Sequence, residues 1–255
     1  LFARIFQGKA KRVIACSRNP SKIKSKTKRM HVEYGGYERA SEADIAFVTV
    51  PTENTYEVCT KILKSMKKNS LLVDISSVKT GIVDPIVKEL PKNINYISIH
   101  PLFGPQIRQP KGENVLIIPA KEEGWLSYLV QFFKDLGCNT TVITVEKHDR
   151  AMAIVQVLHH LTYLSFVETF NNLAPEIEID QIQTRSLRKT RAILTSLAKN
   201  LDAILTIQRA NPNAQSIRKK YAEVVTNLCK ADEWTIAKFK QGFDKLKVRY
   251  LYAER

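Results

Sequence analysis

His100 is a candidate catalytic residue because of its chemistry and its position in the sequence. It lies in the segment Ile99-His100-Pro101-Leu102-Phe103-Gly104-Pro105, at the end of an apolar run that predicts a buried strand. Histidine titrates near neutral pH, so its ring is suited to accept a proton from a substrate hydroxyl. The prolines and the glycine after it predict a stiff loop. An isolated histidine is more often structural, but its position at a strand end favours a general base.

Two other polar segments also follow predicted strands. They are Val50-Pro51-Thr52 and Asp74-Ile75-Ser76-Ser77-Val78-Lys79. Ligands of open α/β sheets bind at the carboxyl ends of the strands, so both segments are expected to border a cofactor and a substrate. The residues that we expect there are Val50, Pro51, Ser76 and Ser77. The alternative is that Ser76 or Ser77 caps a helix beginning near Val78, with Lys79 solvated in its first turn.

Ser17 and Arg18 follow a further predicted strand, from Arg12 to Cys16. In a Rossmann-type unit, the residue after the second strand contacts the adenosine ribose. An acidic residue accepts a hydrogen bond from the 2′-hydroxyl of NAD, whereas Arg and Ser accommodate the 2′-phosphate of NADP. Ser17 and Arg18 therefore favour NADP over NAD as the cofactor. The alternative is an ordinary turn closed by Asn19-Pro20.

Several more polar residues share one predicted helix. It begins at His148-Asp149-Arg150 and carries Gln156, His159 and His160. Gln156 and His160 are four residues apart on one face and can point at one site, whereas His159 is rotated by about 100°. No acidic partner lies at metal-ligand spacing, so we predict no metal site. Asp149 is explained as a charge that favours a helix N-terminus.

The elements that position these residues alternate over the first 145 residues. Short apolar runs separated by amphipathic stretches predict parallel strands connected by helices, and the run from Ile45 to Val50 suits a strand buried on both faces. The predicted strands are Arg12 to Cys16, Ile45 to Val50, Leu71 to Ile75, Ile94 to Ile99, Val115 to Ile118 and Thr141 to Val145. The predicted helices are Thr55 to Lys67, Val78 to Glu89 and Glu123 to Leu136. This order predicts the α/β class with a doubly wound, Rossmann-like parallel sheet.

The pattern becomes helical after about residue 147. Helical periodicity runs from His148 to Leu173 and from about Ile182 to Lys247, with a predicted break at Pro175 and a turn at Asn211-Pro212-Asn213. We therefore predict two domains. Residues 1–146 would form a dinucleotide-binding domain, and residues 147–255 an all-helical domain for substrate binding and dimerisation.

The glycine fingerprint G-x-G-x-x-G, which cradles a pyrophosphate in Rossmann-type units, is not found in the sequence. It would fall immediately before Leu1, where a first strand would turn onto a helix. The chain opens without Met and within an amphipathic pattern of Leu1, Phe2, Ile5 and Phe6. We therefore expect a first strand and a glycine-rich loop upstream of Leu1.

The composition excludes several classes of protein. Apolar residues make up 44% and charged residues 25% of the 255 positions, as in globular proteins and unlike disordered or collagen-like chains. The net charge of +15 would attract nucleic acid, acidic membranes or anionic small molecules without choosing among them. The four cysteines form no CxxC pair and are expected to be buried free thiols. No apolar run approaches the roughly 20 residues that span a bilayer, so we predict a cytoplasmic protein without a membrane partner.

Together these segments resemble the prephenate dehydrogenase (TyrA-like) family, and its archaeal-type members in particular. The resemblance runs from Leu1 to about Leu173. Its most specific parts are Asp74 to Lys79, His100 to Pro105, and His148 to His160. The resemblance implies an NAD(P)-dependent enzyme of tyrosine biosynthesis that converts prephenate to 4-hydroxyphenylpyruvate. Hydride would pass from the ring carbon bearing the 4-hydroxyl to the nicotinamide, with loss of carbon dioxide.

The resemblance also implies roles for individual residues. His100 would take the proton of the 4-hydroxyl, and Ser77 would hold the same hydroxyl and the nicotinamide side of the site. His160, with Gln156 behind it, would line the substrate pocket. The helical half would form a homodimer, and Leu161, Leu164, Phe166, Val167 and Phe170 look too apolar for a single solvated helix.

The anchor for the two carboxylates of prephenate departs from the family pattern. Such a substrate needs fixed cations, preferably arginine. Family members present an arginine shortly before an Asn-Pro turn, whereas the aligned position here is Thr206. We choose Arg209 as the candidate, with Arg185, Arg188 and Arg191 as alternatives. The opposing interpretation makes each of them part of a solvated helix face.

Two other functions are considered. Arogenate or another small acid would suit a different NADP-linked dehydrogenase on the same sheet, although that enzyme would not need His100 and His160 together. A basic regulatory protein that binds nucleic acid, having lost its glycine loop, would explain the net charge. Such a protein would not need to keep Ser77, His100, Gln156 and His160 as a set. Nucleic acid is therefore disfavoured as a partner.

Overall fold

The computed structural model describes residues 1–173, 179–230 and 232–247. Strands lie in the first part of the chain, and helices follow. The strands are β1 (Ile14–Cys16), β2 (Glu33–Gly35), β3 (Ile45–Val48), β4 (Leu71–Asp74), β5 (Asn95–Pro101), β6 (Asn114–Lys121) and β7 (Asn139–Val142). The helices that accompany them are α1 (Phe2–Phe6), α2 (Lys24–Arg29), α3 (Thr55–Leu63), α4 (Val83–Glu89) and α5 (Trp125–Asp135).

The strands form two sheets. β1 and β2 pair in parallel, and β3 to β7 form a five-stranded sheet in sequence order. The register places Val48 opposite Asp74, and Asp74 opposite Ser98. The carboxyl ends of β3, β4 and β5 are therefore aligned at one edge of the sheet, as the α/β prediction requires, and the fold class is confirmed.

One pairing differs from a purely parallel sheet. β5 and β6 run antiparallel, whereas the pairs β3–β4, β4–β5 and β6–β7 are parallel. Parallel neighbours need a crossover connection, usually through a helix. Residues 102–113, which connect β5 to β6, contain no helix and carry Pro105 and Pro110. The short connection therefore returns the chain in the opposite direction.

The core lies on both faces of the five-stranded sheet because alternate side chains of a strand point to opposite faces. Leu72 and Tyr96 pack with α3 and α4 on one face, and Leu71 and Ile97 pack with α5 on the other. Strands β4 and β5 are consequently buried almost completely. They form a rigid base for the loops that follow them.

Three details of the fold correct the sequence-based expectations. β3 is only partly buried, because among the described strands it pairs with β4 alone. The strand β2 was not predicted, since the exposed segment Glu33-Tyr34-Gly35 has no apolar run. Two of the four cysteines, Cys16 and Cys229, are exposed rather than buried.

The described residues after β7 form helices and turns, as predicted. They are α6 (Val145–Met152), a π-helix (Ala153–Leu158), α7 (His159–Leu173), α8 (Ile179–Ile182), α9 (Arg185–Ala198), α10 (Leu201–Ala210), α11 (Ala214–Leu228) and α12 (Glu233–Leu246). The predicted turn at Asn211-Pro212-Asn213 separates α10 from α11, whereas Pro175 lies outside the described residues. None of the described helices is long and apolar enough to cross a membrane.

A small apolar cluster joins the helices to the loop after β4. Val78 from that loop packs with Val157 of the π-helix, Ile207 of α10 and Ala214 of α11, and all four are buried. Burial of such side chains contributes on the order of 1.5–3 kcal/mol each for the larger residues. The cluster therefore holds the π-helix beside the carboxyl ends of β4 and β5.

Candidate active site

Two histidines and an aspartate form a buried hydrogen-bonded chain at the carboxyl end of β5. Nδ1 of His100, in β5, lies 2.9 Å from Nε2 of His148, and Nδ1 of His148 lies 2.7 Å from Oδ1 of Asp149. His148 and Asp149 both belong to α6, and all three residues are buried. These hydrogen bonds therefore connect His100, the catalytic candidate in β5, to α6, the first helix after the sheet.

Asp149 is held by the loop that follows β4. Its carboxylate accepts hydrogen bonds from the backbone N–H groups of Lys79 (3.0 Å) and Thr80 (2.8 Å). Its backbone carbonyl accepts one from Nδ2 of Asn211 (2.9 Å). The expectation that Asp149 is only a charge at a helix start is wrong, because α6 begins at Val145 and the buried carboxylate needs these donors.

Lys79 is fully buried beneath the site, so the alternative that places it in solvent, in the first turn of a helix, is wrong. Its Nζ donates to the carbonyl of Ile99 at 2.7 Å and lies 3.4 Å from Oδ1 of Asp74. Asp74 is fully buried as well, and its Oδ2 accepts a hydrogen bond from the hydroxyl of Tyr96 at 2.7 Å. The carboxylate supplies the opposite charge that a buried ammonium requires. Lys79 thereby fastens the loop after β4 to the backbone beside His100.

The predicted helix near Val78 begins later. α4 starts at Val83, and the residues before it form the loop that carries Lys79. Neither serine caps a helix there. The Ser76 hydroxyl donates to Asp74 at 2.5 Å, and its backbone N–H donates to the same carboxylate at 2.8 Å. Ser76 is buried, with both of its donors used inside the protein, so its contact with a cofactor stays a prediction.

The electrostatics of this buried group favour a neutral His100. Burial alone would raise the pKa of Asp74, but the Lys79 ammonium and hydrogen bonds to the carboxylate outweigh it and hold that pKa low. Burial lowers the pKa of Lys79. Burial, the Lys79 ammonium and His148 together hold the pKa of His100 well below its usual range. His100 is therefore uncharged at neutral pH, the form that a general base requires.

The loops after β3 and β4 meet at Ser77. Its backbone N–H donates to the hydroxyl of Thr52 at 3.4 Å, and Ser77 itself is half-buried. Val50 is also half-buried, and Pro51 is exposed. The structure thus gathers Val50, Pro51 and Ser77 at the edge of the sheet where β5 ends, close after His100, although their contacts with a ligand stay predictions.

Gln156 and His160 lie on the helical side of the site. Gln156 is in the π-helix rather than an α-helix, so the four-residue spacing no longer places it directly below His160. Both residues are half-buried, and His159 is exposed, as predicted. Oε1 of Gln156 and Nδ1 of His160 are buried without a hydrogen-bond partner among the described residues. Buried polar atoms of this kind are normally satisfied, so these two are suited to receive a polar ligand.

His160 should make the stability of the fold depend on pH. Burial, followed by the nearby His159, lowers its pKa from 6.5 to about 4. The unfolded chain therefore binds more protons than the folded chain between these values, so stability is full above about pH 6.5 and falls toward pH 4. Thermal melts of His160→Gln should show a smaller fall in Tm across this range than wild type. The control His31→Asn, at an exposed histidine before β2, should stay close to wild type, and equal slopes for all three proteins would contradict the assignment.

Ser17 and Arg18 lie at the carboxyl end of β1. The backbone N–H of Ser17 donates to Gly35 at 3.0 Å, and its hydroxyl accepts from the backbone N–H of Asn19 at 3.1 Å. Arg18 is exposed. The Ser17 hydroxyl is therefore held at the carboxyl end of β1, with Arg18 exposed beside it, and their contact with a phosphate stays a prediction.

Arg209 is exposed in the last turn of α10, and the alternatives Arg185, Arg188 and Arg191 are exposed on α9. Its neighbour Gln208 is buried instead, and donates from Nε2 to the carbonyl of Val157 at 2.8 Å. The structure brings Gln208, rather than Arg209, against the π-helix that carries Gln156. Binding of a carboxylate by Arg209 stays a prediction.

Comparison with known proteins assigns the family. Residues 2–142 match the family described as prephenate dehydrogenase, nucleotide-binding domain. The chain belongs to the prephenate dehydrogenase family. This match covers the sheet, with the strand that carries His100, and the loop that carries Ser77 and Lys79. The resemblance inferred from the sequence motifs is thereby confirmed.

Relatives in this family extend the likeness beyond the sheet. A probable arogenate/prephenate dehydrogenase of Methanocaldococcus jannaschii is 28% identical over 96% of this chain and 56% of its own length. A prephenate dehydrogenase [NADP(+)] of Saccharomyces cerevisiae is 23% identical over 65% of this chain and 38% of its own length. The chain therefore spans about half the length, or less, of these two relatives.

A solved structure shares the fold at lower sequence identity. The prephenate dehydrogenase of Aquifex aeolicus, in complex with hydroxyphenyl propionate and NAD+, superposes with a TM-score of 0.80 at 16% identity. The superposition covers 97% of this chain and 93% of the other. The likeness therefore includes the helices after β7 as well as the sheet.

Sequence reasoning within this family missed the roles of Lys79, His148 and Asn211. Each was noted only as part of a motif or a turn. The segment that begins with Asp74 carries two opposite charges at the end of a buried strand, but this signal alone does not decide between a buried ion pair and a solvated Lys79. His148 carried no local signal, because its partner His100 is 48 positions away.

Proposed function

We propose that this chain catalyses the oxidative decarboxylation of prephenate to 4-hydroxyphenylpyruvate, carbon dioxide and a reduced nicotinamide. The observation that carries the proposal is the buried chain of His100, His148 and Asp149 at the carboxyl end of β5, beside the loop of Ser77. A neutral imidazole at this position is suited to remove the proton of the 4-hydroxyl as hydride leaves the same carbon. NADP or NAD, when bound, supplies the hydride acceptor.

Each of the candidate residues has its own role in this proposal. His100 takes the hydroxyl proton, and Ser77 holds the hydroxyl oxygen. Gln156 and His160 line the site on the helical side, where Oε1 of Gln156 and Nδ1 of His160 would form hydrogen bonds with the substrate. Residues 1–146 would serve as the nucleotide-binding domain and residues 147–255 as the substrate and dimerisation domain. We place the protein in the cytoplasm.

The substrate proposal names prephenate first and arogenate second. The two differ only in the side-chain group, an amine in arogenate, and no described residue yet distinguishes them. Both carry carboxylates, which Arg209 is proposed to bind when the substrate is present. Relatives that are named for arogenate, for prephenate or for both support either substrate within the same reaction.

The test is a direct assay of the 255-residue chain. Prephenate or arogenate is added with NADP or NAD, and the reduced nicotinamide is followed by its absorbance. Formation of reduced cofactor with 4-hydroxyphenylpyruvate from prephenate is the expected result. No turnover with any of the four pairs, together with retardation of labelled DNA that weakens steeply with salt, would instead support the nucleic-acid-binding alternative.

Arg18→Ala should selectively weaken the binding of NADP. A charge-assisted hydrogen bond to the 2′-phosphate contributes about 1.5–3 kcal/mol, which corresponds to a rise in Kd of roughly 10-fold to 100-fold. The affinity for NAD, which lacks that phosphate, should change less than about threefold. Isothermal titration with each cofactor measures both values. Lys26→Ala, at another exposed basic position, is the control, and an equal loss for NADP and NAD would contradict the assignment.

We also propose that the helical half forms a homodimer. Large apolar side chains on α12 are exposed, including Phe243 at 64% and Leu246 at 50%, and they lie three residues apart on one face. A second copy of this chain would cover such a surface.

Phe243→Glu should convert the proposed dimer to a monomer. A buried aromatic side chain at the centre of an interface contributes 2 kcal/mol or more, so the dimer Kd should rise at least about 30-fold. Sedimentation velocity over a range of concentrations measures the change. Tyr128→Glu, on the exposed side of α5, is the control and should leave the dimer intact. A wild-type monomer at all concentrations would overturn the proposal.

A further inference from the structure

The catalytic candidate His100 has two ring nitrogens, and only the one that carries no proton can act as a base. Its Nδ1 lies 2.9 Å from Nε2 of His148. No other hydrogen bond joins the His100 ring to the described part of the chain. Which nitrogen is free therefore depends on the direction of the hydrogen bond between the two rings.

That direction follows from Asp149. Its carboxylate receives the backbone N–H groups of Lys79 and Thr80, and Nδ1 of His148 at 2.7 Å. Burial, which alone would raise the pKa of Asp149, is outweighed by these hydrogen bonds, and the pKa is lowered. An ionised carboxylate only accepts hydrogen bonds, so Nδ1 of His148 must carry the proton.

The positions of the remaining ring protons then follow one from another. Burial lowers the pKa of His148, so its ring is neutral and its Nε2 is an acceptor. Nδ1 of His100 must therefore be the donor. A neutral His100 with its proton on Nδ1 has a lone pair on Nε2, the ring nitrogen that faces away from His148.

We propose that Asp149, acting through His148, fixes His100 in the Nδ1-protonated tautomer, so that Nε2 of His100 is the nitrogen that takes the substrate proton. The identity of that substrate rests on the proposed function, but the tautomer does not. Asp149 and His148 are positioning residues, since they act on the substrate through His100. After proton transfer, the positive charge on His100 lies two hydrogen bonds from the Asp149 carboxylate, which stabilises it.

Asp149→Asn is expected to reverse the direction of the hydrogen bonds that link Asp149, His148 and His100. Oδ2 of Asp149 accepts from Thr80 at 2.8 Å and from Lys79 at 3.3 Å, whereas Oδ1 faces His148 at 2.7 Å and accepts from Lys79 at 3.0 Å. An asparagine that keeps its oxygen at the Oδ2 position retains the bond from Thr80 and the longer bond from Lys79, and it places its NH₂ toward His148. His148 must then accept at Nδ1 and donate from Nε2, so His100 accepts at Nδ1 and carries its proton on Nε2. The lone pair of the base is lost.

The test is long-range ¹H–¹⁵N correlation NMR of the full chain labelled with ¹⁵N-histidine, at pH 7.5. The His100 signals are assigned by their loss in His100→Asn. In wild type, Nδ1 of His100 should show a pyrrole-type shift and Nε2 a pyridine-type shift. In Asp149→Asn the two should exchange, and kcat should fall by about 10²-fold to 10⁴-fold with little change in cofactor affinity. Asp202→Asn, at an exposed position of α10, should change neither.

Each outcome decides the proposal. A wild-type His100 with its proton on Nε2 overturns it, and this measurement needs no variant. An unchanged tautomer in folded Asp149→Asn also overturns it. If that variant does not fold, the wild-type spectrum decides alone. The spectra do not require turnover, so the tautomer can be established even where the dehydrogenase assay is silent.

Discussion

Replacing His100 with asparagine is expected to lower kcat by about 10²-fold to 10⁴-fold while leaving the affinity for NADP or NAD nearly unchanged. The asparagine amide reaches the position of the imidazole Nδ1, so a hydrogen bond to His148 can be kept. It has no group at the position of Nε2, so no base remains to accept the proton of the substrate hydroxyl. Steady-state kinetics and cofactor titration measure the two effects separately.

The matched control for this variant is His159→Asn. It removes an imidazole from an exposed position beside the site, and it should leave kcat within about threefold of wild type. The pH profile gives a second measure. Because the pKa of His100 is held well below 6.5, the acidic fall of kcat/KM in wild type should lie below pH 6.5. A His100→Asn enzyme with wild-type kcat would remove this residue from the mechanism.

The sheet could be predicted from sequence because its signal is local. The apolar runs that form β4 and β5 are buried on both faces, and such runs are typical of central strands of a helix-covered sheet. Ligand-binding positions follow from the same prediction, since the carboxyl ends of aligned strands lie together. His100 and Ser77 were chosen on this ground, and the register places their strands side by side.

Lys79 could not be assigned from sequence, since the same residue type is usually solvated. Its burial depends on a carboxylate, a hydroxyl and a carbonyl that come together only in the fold, from Asp74, Ser76 and Ile99. The local pattern of a serine pair followed by an apolar position instead predicted a capped helix. The buried ion pair was more favourable than that helix start, so the segment forms a loop and α4 begins at Val83.

The positions on the long helix were predicted with the wrong period. An α-helix repeats every 3.6 residues, and this spacing placed Gln156 and His160 on one face. The segment Ala153–Leu158 is a π-helix, which inserts extra backbone into the turn. No residue type in Ala-Ile-Val-Gln-Val-Leu specifies such a turn. Packing of Val157 against α10 and α11 accompanies it, and that packing is set by tertiary contacts.

The buried ion pair of Lys79 and Asp74 is expected to stabilise the fold strongly. Lys79→Met is expected to lower the free energy of unfolding by about 3–5 kcal/mol, because the carboxylate of Asp74 would be left buried without a counter-charge. Methionine nearly matches the lysine stem in length, so little of this loss would come from a cavity. Urea-induced unfolding followed by circular dichroism measures the difference at pH 7.

The comparison variants separate charge from packing. Asp74→Asn combined with Lys79→Met removes both charges, and it should recover most of the lost stability. Lys67→Met breaks an exposed ion pair with Asp44 and should cost about 1 kcal/mol or less. If the double variant were no more stable than Lys79→Met alone, the charge of Asp74 would not be the cause of the loss.

The pH dependence of this stability loss provides an independent test of the role of the Asp74 charge. In wild type, Lys79 helps hold the pKa of Asp74 below its usual range. Without the ammonium, burial would raise that pKa above the value in the unfolded chain. Stability would then be present below the unfolded pKa and lost as pH rises through the folded one, so the deficit of Lys79→Met should be largest at neutral pH and shrink toward pH 4. Because Lys79 also donates to the carbonyl of Ile99, next to His100, the same variant should lose activity even at temperatures where it remains folded.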